Sequence, residues 1–408
     1  MSTQENAKGS LFGAILLIAG CCIGAGMLGL PVLSGLAGFV PSLVMFFISW
    51  AFMTCTGLLL LEANLWFSKD VSIITIAGHS LGTIGKCVGW AGFLFLFYAL
   101  MVAYISGSGE MVADFVQGVT SYPMAPLAGS VLVSLLFGIC IYLGTGAVDR
   151  VNRVLMVGLV VTYIALVFGG IPHIDFSLLE HREWSSSTLV LPAMIISFGF
   201  HNLVPTLTTY MHGDRRRLRL AVIIGSSIPL LIYILWEGLI LGLIPVEGEG
   251  GFRQALSQGD MATQALRAAL GSTGVVEIAQ TFAFFALITS FLGVALSFVD
   301  FLADGLSIKK DAKGKIGLCV LVLLPSLICA AIYPHIFLSA LNYAGGFGAV
   351  LLFGILPAVM VWNGRYCKHF KTEPLVPGGK LLLVVVILFA CFVMGLQAKH
   401  LIISLTDA

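Results

Sequence analysis

Charge is what this chain has least of. Only 10% of its 408 residues are Asp, Glu, Lys or Arg, and its mean hydropathy is +1.03. An ordinary soluble domain carries about 25% charged residues, so a water-soluble globular fold is excluded. Polar connections are short as well, which leaves no room for a soluble domain between the apolar segments. No HExxH motif, paired catalytic acids or nucleophile–base set is visible, so neither an enzyme nor a cofactor is expected. Cys367-Lys368-His369 is too short a cluster to argue for a metal site. Seven of the nine cysteines (Cys21, Cys22, Cys55, Cys140, Cys319, Cys329 and Cys391) lie in apolar segments, which excludes a disulfide framework on an outer face.

What is there is apolar sequence in span-length runs. A membrane helix needs about 20 mostly apolar residues. Eleven runs qualify, at about 11–35, 40–67, 85–106, 125–145, 151–171, 189–211, 219–244, 275–302, 316–333, 336–362 and 380–399. The fold class is therefore all-α integral membrane, a single transmembrane domain over 1–408. The first run lacks a small-x-small cleavage site and is expected to remain in the mature protein. With the N-terminus cytoplasmic, seventeen of the 21 Lys and Arg fall in cytoplasmic segments; only Arg182, Arg253, Arg267 and Lys399 fall outside. That distribution satisfies the positive-inside rule and puts the C-terminus outside, in the periplasm if the cell is a bacterium with two membranes. The run Arg215-Arg216-Arg217 with Arg219 abuts two spans, so anionic lipid headgroups account for it and no nucleic acid is expected as a partner.

Two of the spans are interrupted near their middles. Span one contains Gly24-Ala25-Gly26 ahead of Leu30-Pro31, and span six contains Ser197-Phe198-Gly199-Phe200-His201-Asn202 ahead of Pro205. A break at that depth frees backbone groups that lipid does not satisfy, so it survives only against protein or a water-filled cavity. Breaks in corresponding positions of two halves point to a transporter's binding site. With five spans per half, the second half is inverted, giving one repeat over about 11–171, a second over about 189–362 and an extra helix over about 380–399.

At the first break, small residues let a ligand approach the backbone. The start of the outer half-helix, near Met27, offers amides and a positive dipole end to a carboxylate. Freed carbonyls of Cys22 and Ile23 suit an ammonium group or a cation. A carboxylate and an ammonium side by side describe an α-amino acid. The plainer reading is a small-residue packing face through Gly20, Gly24 and Gly26. At the second break, His201 suits a hydroxyl or a proton, or else it caps unwound backbone; Phe198 and Phe200 suit an aromatic ligand, or else simple packing among 28 phenylalanines.

Further polar residues inside spans are Tyr98 and Tyr104 in span three, Glu237 in span seven and Thr289-Ser290 in span eight. Intramembrane acids default to a functional reading, and a protonation cycle at Glu237 would couple transport to a proton gradient. A structural pairing explains Glu237 equally. Thr289 and Ser290 offer two hydroxyls to Na⁺, although bonding back to a carbonyl one turn earlier is the more frequent use. Glu110 and Asp114 fall at the outer mouth, where solvation alone accounts for them. In the outer connection at 245–274, Asp260 to Leu270 reads as a short surface helix capped by Asp260, either part of a lid or a solvated loop.

Taken together, Gly20 to Pro31 (GCCIGAGMLGLP), Ser197-Phe198-Gly199-Phe200-His201 and Thr289-Ser290-Phe291-Leu292-Gly293 resemble the hydroxy and aromatic amino acid permease family, within the amino acid/polyamine/organocation superfamily. The resemblance spans the whole chain and is strongest to tyrosine-specific members. It implies a LeuT-type five-plus-five inverted repeat with broken helices one and six, and import of an aromatic amino acid across a bacterial inner membrane. Proton symport is the usual coupling that it implies, with Na⁺ as the alternative. Substrate contacts are then expected from Cys22, Ile23, Gly24, Ala25, Gly26, Met27, Ser197, Phe198, Gly199, Phe200, His201, Asn202 and Tyr104, and coupling-ion contacts from Glu237, Thr289 and Ser290. Serine/threonine and tryptophan permeases share the architecture, and a non-transporting amino-acid sensor would keep the same site.

Overall fold

The computed structural model describes residues 9–67, 71–120, 123–271, 273–370 and 373–406. Lys8, Lys69 and Lys371, counted above among the basic connections, lie outside them. In a bilayer an apolar run satisfies its own backbone by coiling, and the described residues accordingly form helices and short connections. In chain order these are α1 (Leu11–Cys22), α2 (Gly26–Ser34), α3 (Phe39–Asn64), α4 (Ile73–Thr120), α5 (Pro126–Leu143) and α6 (Thr145–Gly170). Next come α7 (Leu191–Ser197), α8 (Val204–Tyr210), α9 (Arg215–Leu241), α10 (Phe252–Gln258), α11 (Ala262–Leu270) and α12 (Gly274–Gly305). The last four are α13 (Ala312–Ile332), α14 (Phe337–Tyr343), α15 (Leu356–Tyr366) and α16 (Gly379–Thr406), with a π-helical stretch at Ala344–Ile355 joining α14 to α15. Among the described residues ten spans are long and apolar enough to cross a membrane, and α1 with α2, bent by 56°, makes the eleventh.

The two broken spans run through the bundle in opposite directions. On the face that carries Arg215–Arg217, the Gly9 amide donates to the Tyr210 carbonyl (3.0 Å) and Arg217 Nη2 donates to the Gly9 carbonyl (3.0 Å). The start of α1 thus meets the end of α8. On the opposite face the Glu183 amide donates to the Ala37 carbonyl (2.8 Å), so the end of α2 meets the approach to α7.

Two prolines inside the spans, Pro31 and Pro325, create defined vacancies in the helical ladder, and side chains from other helices fill them. Pro31 has no N–H, which leaves the Met27 carbonyl without its intrahelical donor; the Trp236 indole N–H supplies one at 2.8 Å. Pro325 does the same to Leu321, and the Tyr98 hydroxyl donates there at 2.9 Å. Tyr98, one of the polar residues noted inside span three, therefore serves the backbone of α13.

Other expectations about the helices also differ from the structure. The third span, expected over 85–106, belongs to a helix reaching from Ile73 to Thr120, kinked at Gly82 (φ 71°). The run Ser106-Gly107-Ser108-Gly109-Glu110, beyond that expected end, is a contact face: Gly109 meets Gly129 of α5, and Ser130 Oγ donates to the Ile105 carbonyl at 3.1 Å. Glu110 is not a solvated mouth residue, being 3% exposed, with Ser106 Oγ donating to it at 3.1 Å and His335 Nδ1 lying 3.6 Å away. Finally, α11 starts at Ala262 under a capping box in which the Met261 amide donates to Gln264 Oε1 (2.8 Å), so Asp260 is not its cap. Asp260 lies between α10 and α11, where burial raises its carboxyl above the usual range and the His335 charge opposes the rise. The helix is not a surface helix either: Ala262, Thr263, Ala265 and Leu266 are buried, and it packs against α2 and α12.

On the arginine-bearing face a buried ion pair ties α3 to α15. Arg365 Nε and Nη2 donate to the two Glu62 oxygens, each at 2.7 Å, and the Leu375 amide adds a third donor at 2.8 Å. Removing one member strands a charge, since Glu62 is 1% and Arg365 9% exposed. Arg365→Ala should cost about 3–5 kcal/mol, read as a lowered unfolding midpoint in detergent; an unchanged midpoint would contradict the pairing.

Candidate functional site

Span one stops being helical at Cys22 and resumes at Gly26; span six stops at Ser197, passes through a 3₁₀ turn at His201–Leu203, and resumes at Val204. The two interruptions meet. The Tyr233 hydroxyl of α9 stands 2.6 Å from the Cys22 carbonyl and 2.9 Å from the Ser197 carbonyl, so one donor serves the last turn of both broken half-helices. Cys21 Sγ lies 3.8 Å from the Gly199 carbonyl, a second contact between the breaks.

Small residues are required on both sides of this junction. A Cβ on Gly24 would lie 2.4 Å from Ser290 Oγ, and one on Gly26 would lie 2.7 Å from Ser197 Oγ. Ser290 of α12 accepts from the Ala25 amide at 2.9 Å, and the Tyr104 side chain of α4 reaches the same hydroxyl. The Gly24 amide has no partner among the described residues. The first break thus presents an unpaired amide beside a Ser–Tyr hydroxyl pair, which is the chemistry that receives a carboxylate.

Of the residues expected at a substrate, the structure brings Cys22, Gly24, Ala25, Gly26, Ser197, Gly199 and Tyr104 together, with Ile23 partly accessible and Asn202 exposed beside them. Others are engaged elsewhere. The Met27 carbonyl accepts from Trp236 and its side chain is buried. Phe198 packs edge-on against Tyr233 (5.2 Å between centroids). The His201 ring is sandwiched between Phe200 (4.9 Å) and Phe353 (4.7 Å), with Nε2 3.0 Å from Thr56 Oγ1. Phe198, Phe200 and His201 are 0% exposed. In this structure they pack against α3, α9 and the π-helical stretch.

The coupling candidates separate in the same way. Thr289 donates back to the Phe285 carbonyl (2.8 Å), so it is Ser290 alone that meets the first break. Glu237 is fully buried on α9, hydrogen-bonded by Ser34 Oγ near the end of α2, and its Oε2 has no partner among the described residues. Its position one residue after Trp236 means that adjacent side chains of α9 hold α2 at both Met27 and Ser34.

Sequence reasoning missed Tyr233, Trp236, Ser34 and Cys21. The only signal for the first two was a donor-bearing aromatic within an apolar span, where such a group needs a partner.

From the junction, exposed small and polar residues continue toward the arginine-bearing face. Asn202 is followed by Thr206 on α8, and Ser290 by Gly293, Ser297 and Asp304 on α12, spacings that keep each set on one helical face. Polar stripes of that kind belong against water rather than lipid.

Comparison with known proteins gives a consistent result. The family model described as the tryptophan/tyrosine permease family matches residues 7–397. "Tyrosine-specific transport system 1" of Haemophilus influenzae is 32% identical over 387 residues, covering 93% of this chain and 94% of the relative. "Tryptophan-specific transport protein" of the same organism is 31% identical over 396 residues, covering 93% of each. Among solved structures, that of MhsT in complex with L-phenylalanine superposes with a TM-score of 0.66 at 16% identity, over 96% of this chain and 98% of the other. That likeness gives the fold, a LeuT-type bundle with helices one and six broken.

Proposed function

Because the chain belongs to the tryptophan/tyrosine permease family, we propose that it is a secondary transporter importing an aromatic amino acid, L-tyrosine first, across a bacterial inner membrane by proton symport. The observation that carries the reading is the meeting of the two helix breaks under the shared Tyr233 hydroxyl. A bound amino acid would place its carboxylate at the Gly24 amide with the Ser290 and Tyr104 hydroxyls. Its ammonium would sit toward the carbonyls near Cys22 and Gly199. The polar stripes on α8 and α12 support an alternating-access cycle in which the arginine-bearing face is the open one. The positive-inside rule favours the cytoplasm for that face, with the N-terminus inside and the C-terminus outside. In this reading the repeats cover about 11–171 and 189–362.

Proton coupling is favoured by Glu237. Its hydrogen bond to Ser34 is made to the second half of a broken helix, so a movement of α2 would change the environment of a buried acid. Tyrosine is favoured by the likeness to tyrosine-specific transporters; tryptophan is the second reading, resting on the tryptophan-specific relative of nearly equal identity.

The test is uptake of labelled tyrosine and tryptophan into proteoliposomes, with pH and sodium gradients imposed separately. Accumulation of tyrosine under an inward proton gradient is expected, and failure to accumulate either amino acid under either gradient would overturn the proposal. Within the site, Tyr233→Phe should strand two buried carbonyls at a cost of about 1–3 kcal/mol. A thermal midpoint equal to that of the unaltered protein would contradict the bridging role.

A further inference from the structure

A second cavity, of about 620 Å³ and open on one side, is lined by the last turns of α4, by α11 and by the start of α12. Its size falls within the range of small-molecule sites, about 300–1,000 Å³. No residue of α1, α2, α7 or α8 lines it, so it is separate from the junction of the breaks. Its walls carry Arg267 from α11, Asp114 from α4 and Glu277 from α12, with Met111, Phe115 and Phe284 between them.

The charges on these walls do not pair with one another. Elsewhere on the chain an arginine near an acid closes on it, as Arg253 does on Glu247 at 2.7 Å and Arg153 on Asp149 at 2.9 Å. Arg267 is near enough for its charge to act on the Asp114 carboxylate, yet among the described residues neither it nor Glu277 forms an ion pair. Asp114 has only a long approach from Gln264 Nε2, at 3.5 Å. Three different helices hold a guanidinium and two carboxylates apart around one partly apolar space. A molecule that bridges them needs an anionic group for Arg267, a cationic group for Asp114 or Glu277, and an apolar body for the phenylalanines and Met111.

We propose that this cavity is a second, peripheral site for a zwitterionic amino acid with a large apolar or aromatic side chain. The site stands independently of which amino acid crosses at the breaks. Because α11 also packs on α2, an occupant here bears on the helix that carries the second half of the first break.

The test counts binding sites with tritiated L-tyrosine on the purified full-length protein in detergent, and again in nanodiscs of phosphatidylglycerol with and without phosphatidylethanolamine. The unaltered protein should bind two tyrosines per chain and Arg267→Gln one, while Glu277→Gln weakens the same site about tenfold, as expected for loss of a charge-assisted contact. Tyramine, which lacks the carboxylate, should not compete at this site. Both variants should keep the unfolding midpoint of the unaltered protein, since both side chains line the cavity rather than the core. Equal site numbers and affinities in the unaltered protein and both variants would overturn the proposal. So would a site that tyrosine does not fill and phosphatidylethanolamine does, since its headgroup carries the same pair of charges. Failure of the central reading would show differently, as absent uptake with the Arg267-dependent site still present.

Discussion

Valine at position 26 should reduce tyrosine uptake by about 100-fold or more while the protein still inserts and purifies as a monodisperse species. The expectation rests on distance. The first added carbon would stand 2.7 Å from Ser197 Oγ, whose own hydroxyl is bonded to the Ala193 carbonyl at 2.7 Å and is not free to swing aside. The two breaks must then separate by a fraction of an ångström to an ångström. Misplacement on that scale at a positioning site costs about 100-fold. Global stability should change far less, because α2 is held independently by Trp236 at Met27 and by Glu237 at Ser34. The measurement is initial uptake in proteoliposomes beside an unfolding curve in detergent. Near-normal uptake by Gly26→Val would remove the close approach of the breaks from the account of binding.

The second large effect is expected at Glu237. With one proton per tyrosine, an inward gradient of one pH unit corresponds to about 1.4 kcal/mol, or about tenfold accumulation. Glu237→Gln keeps an acceptor for Ser34 Oγ but cannot release a proton, so it should abolish that accumulation. Exchange of internal for external tyrosine, which needs no net proton movement, should persist. A variant that still accumulates tyrosine tenfold under the pH gradient would place the coupling elsewhere.

Hydropathy made the spans legible, and the positions of both breaks were legible in Gly24-Ala25-Gly26 and Ser197–Asn202, where small residues and a following proline interrupt apolar runs. The partners that stabilise the breaks were not. Tyr233 is separated from Cys22 by 211 positions and Trp236 from Met27 by 209, and nothing local marks either among the other aromatics. Side-chain direction was hidden for a related reason. Whether Phe198, Phe200 and His201 face a ligand or the core depends on the turn that winds between α7 and α8, and that turn is set by packing against α3, α9 and the π-helical stretch. The length of α4 was obscured because its small polar residues serve close helix contact, a use that composition does not distinguish from a loop.

A substrate held between the two breaks would lie beside Cys21, which stands at the edge of that space. The thiol is exposed and lies 3.8 Å from the Gly199 carbonyl, whereas the neighbouring Cys22 is buried. The direct measurement is the rate at which a small, water-soluble methanethiosulfonate reagent modifies Cys21 in the unaltered protein, read by peptide mass spectrometry with and without saturating L-tyrosine. Tyrosine should slow modification of Cys21 at least several-fold and leave Cys87, exposed on α4 near its kink, unaffected. Modification of Cys21 at the same rate with and without tyrosine would contradict binding between the breaks.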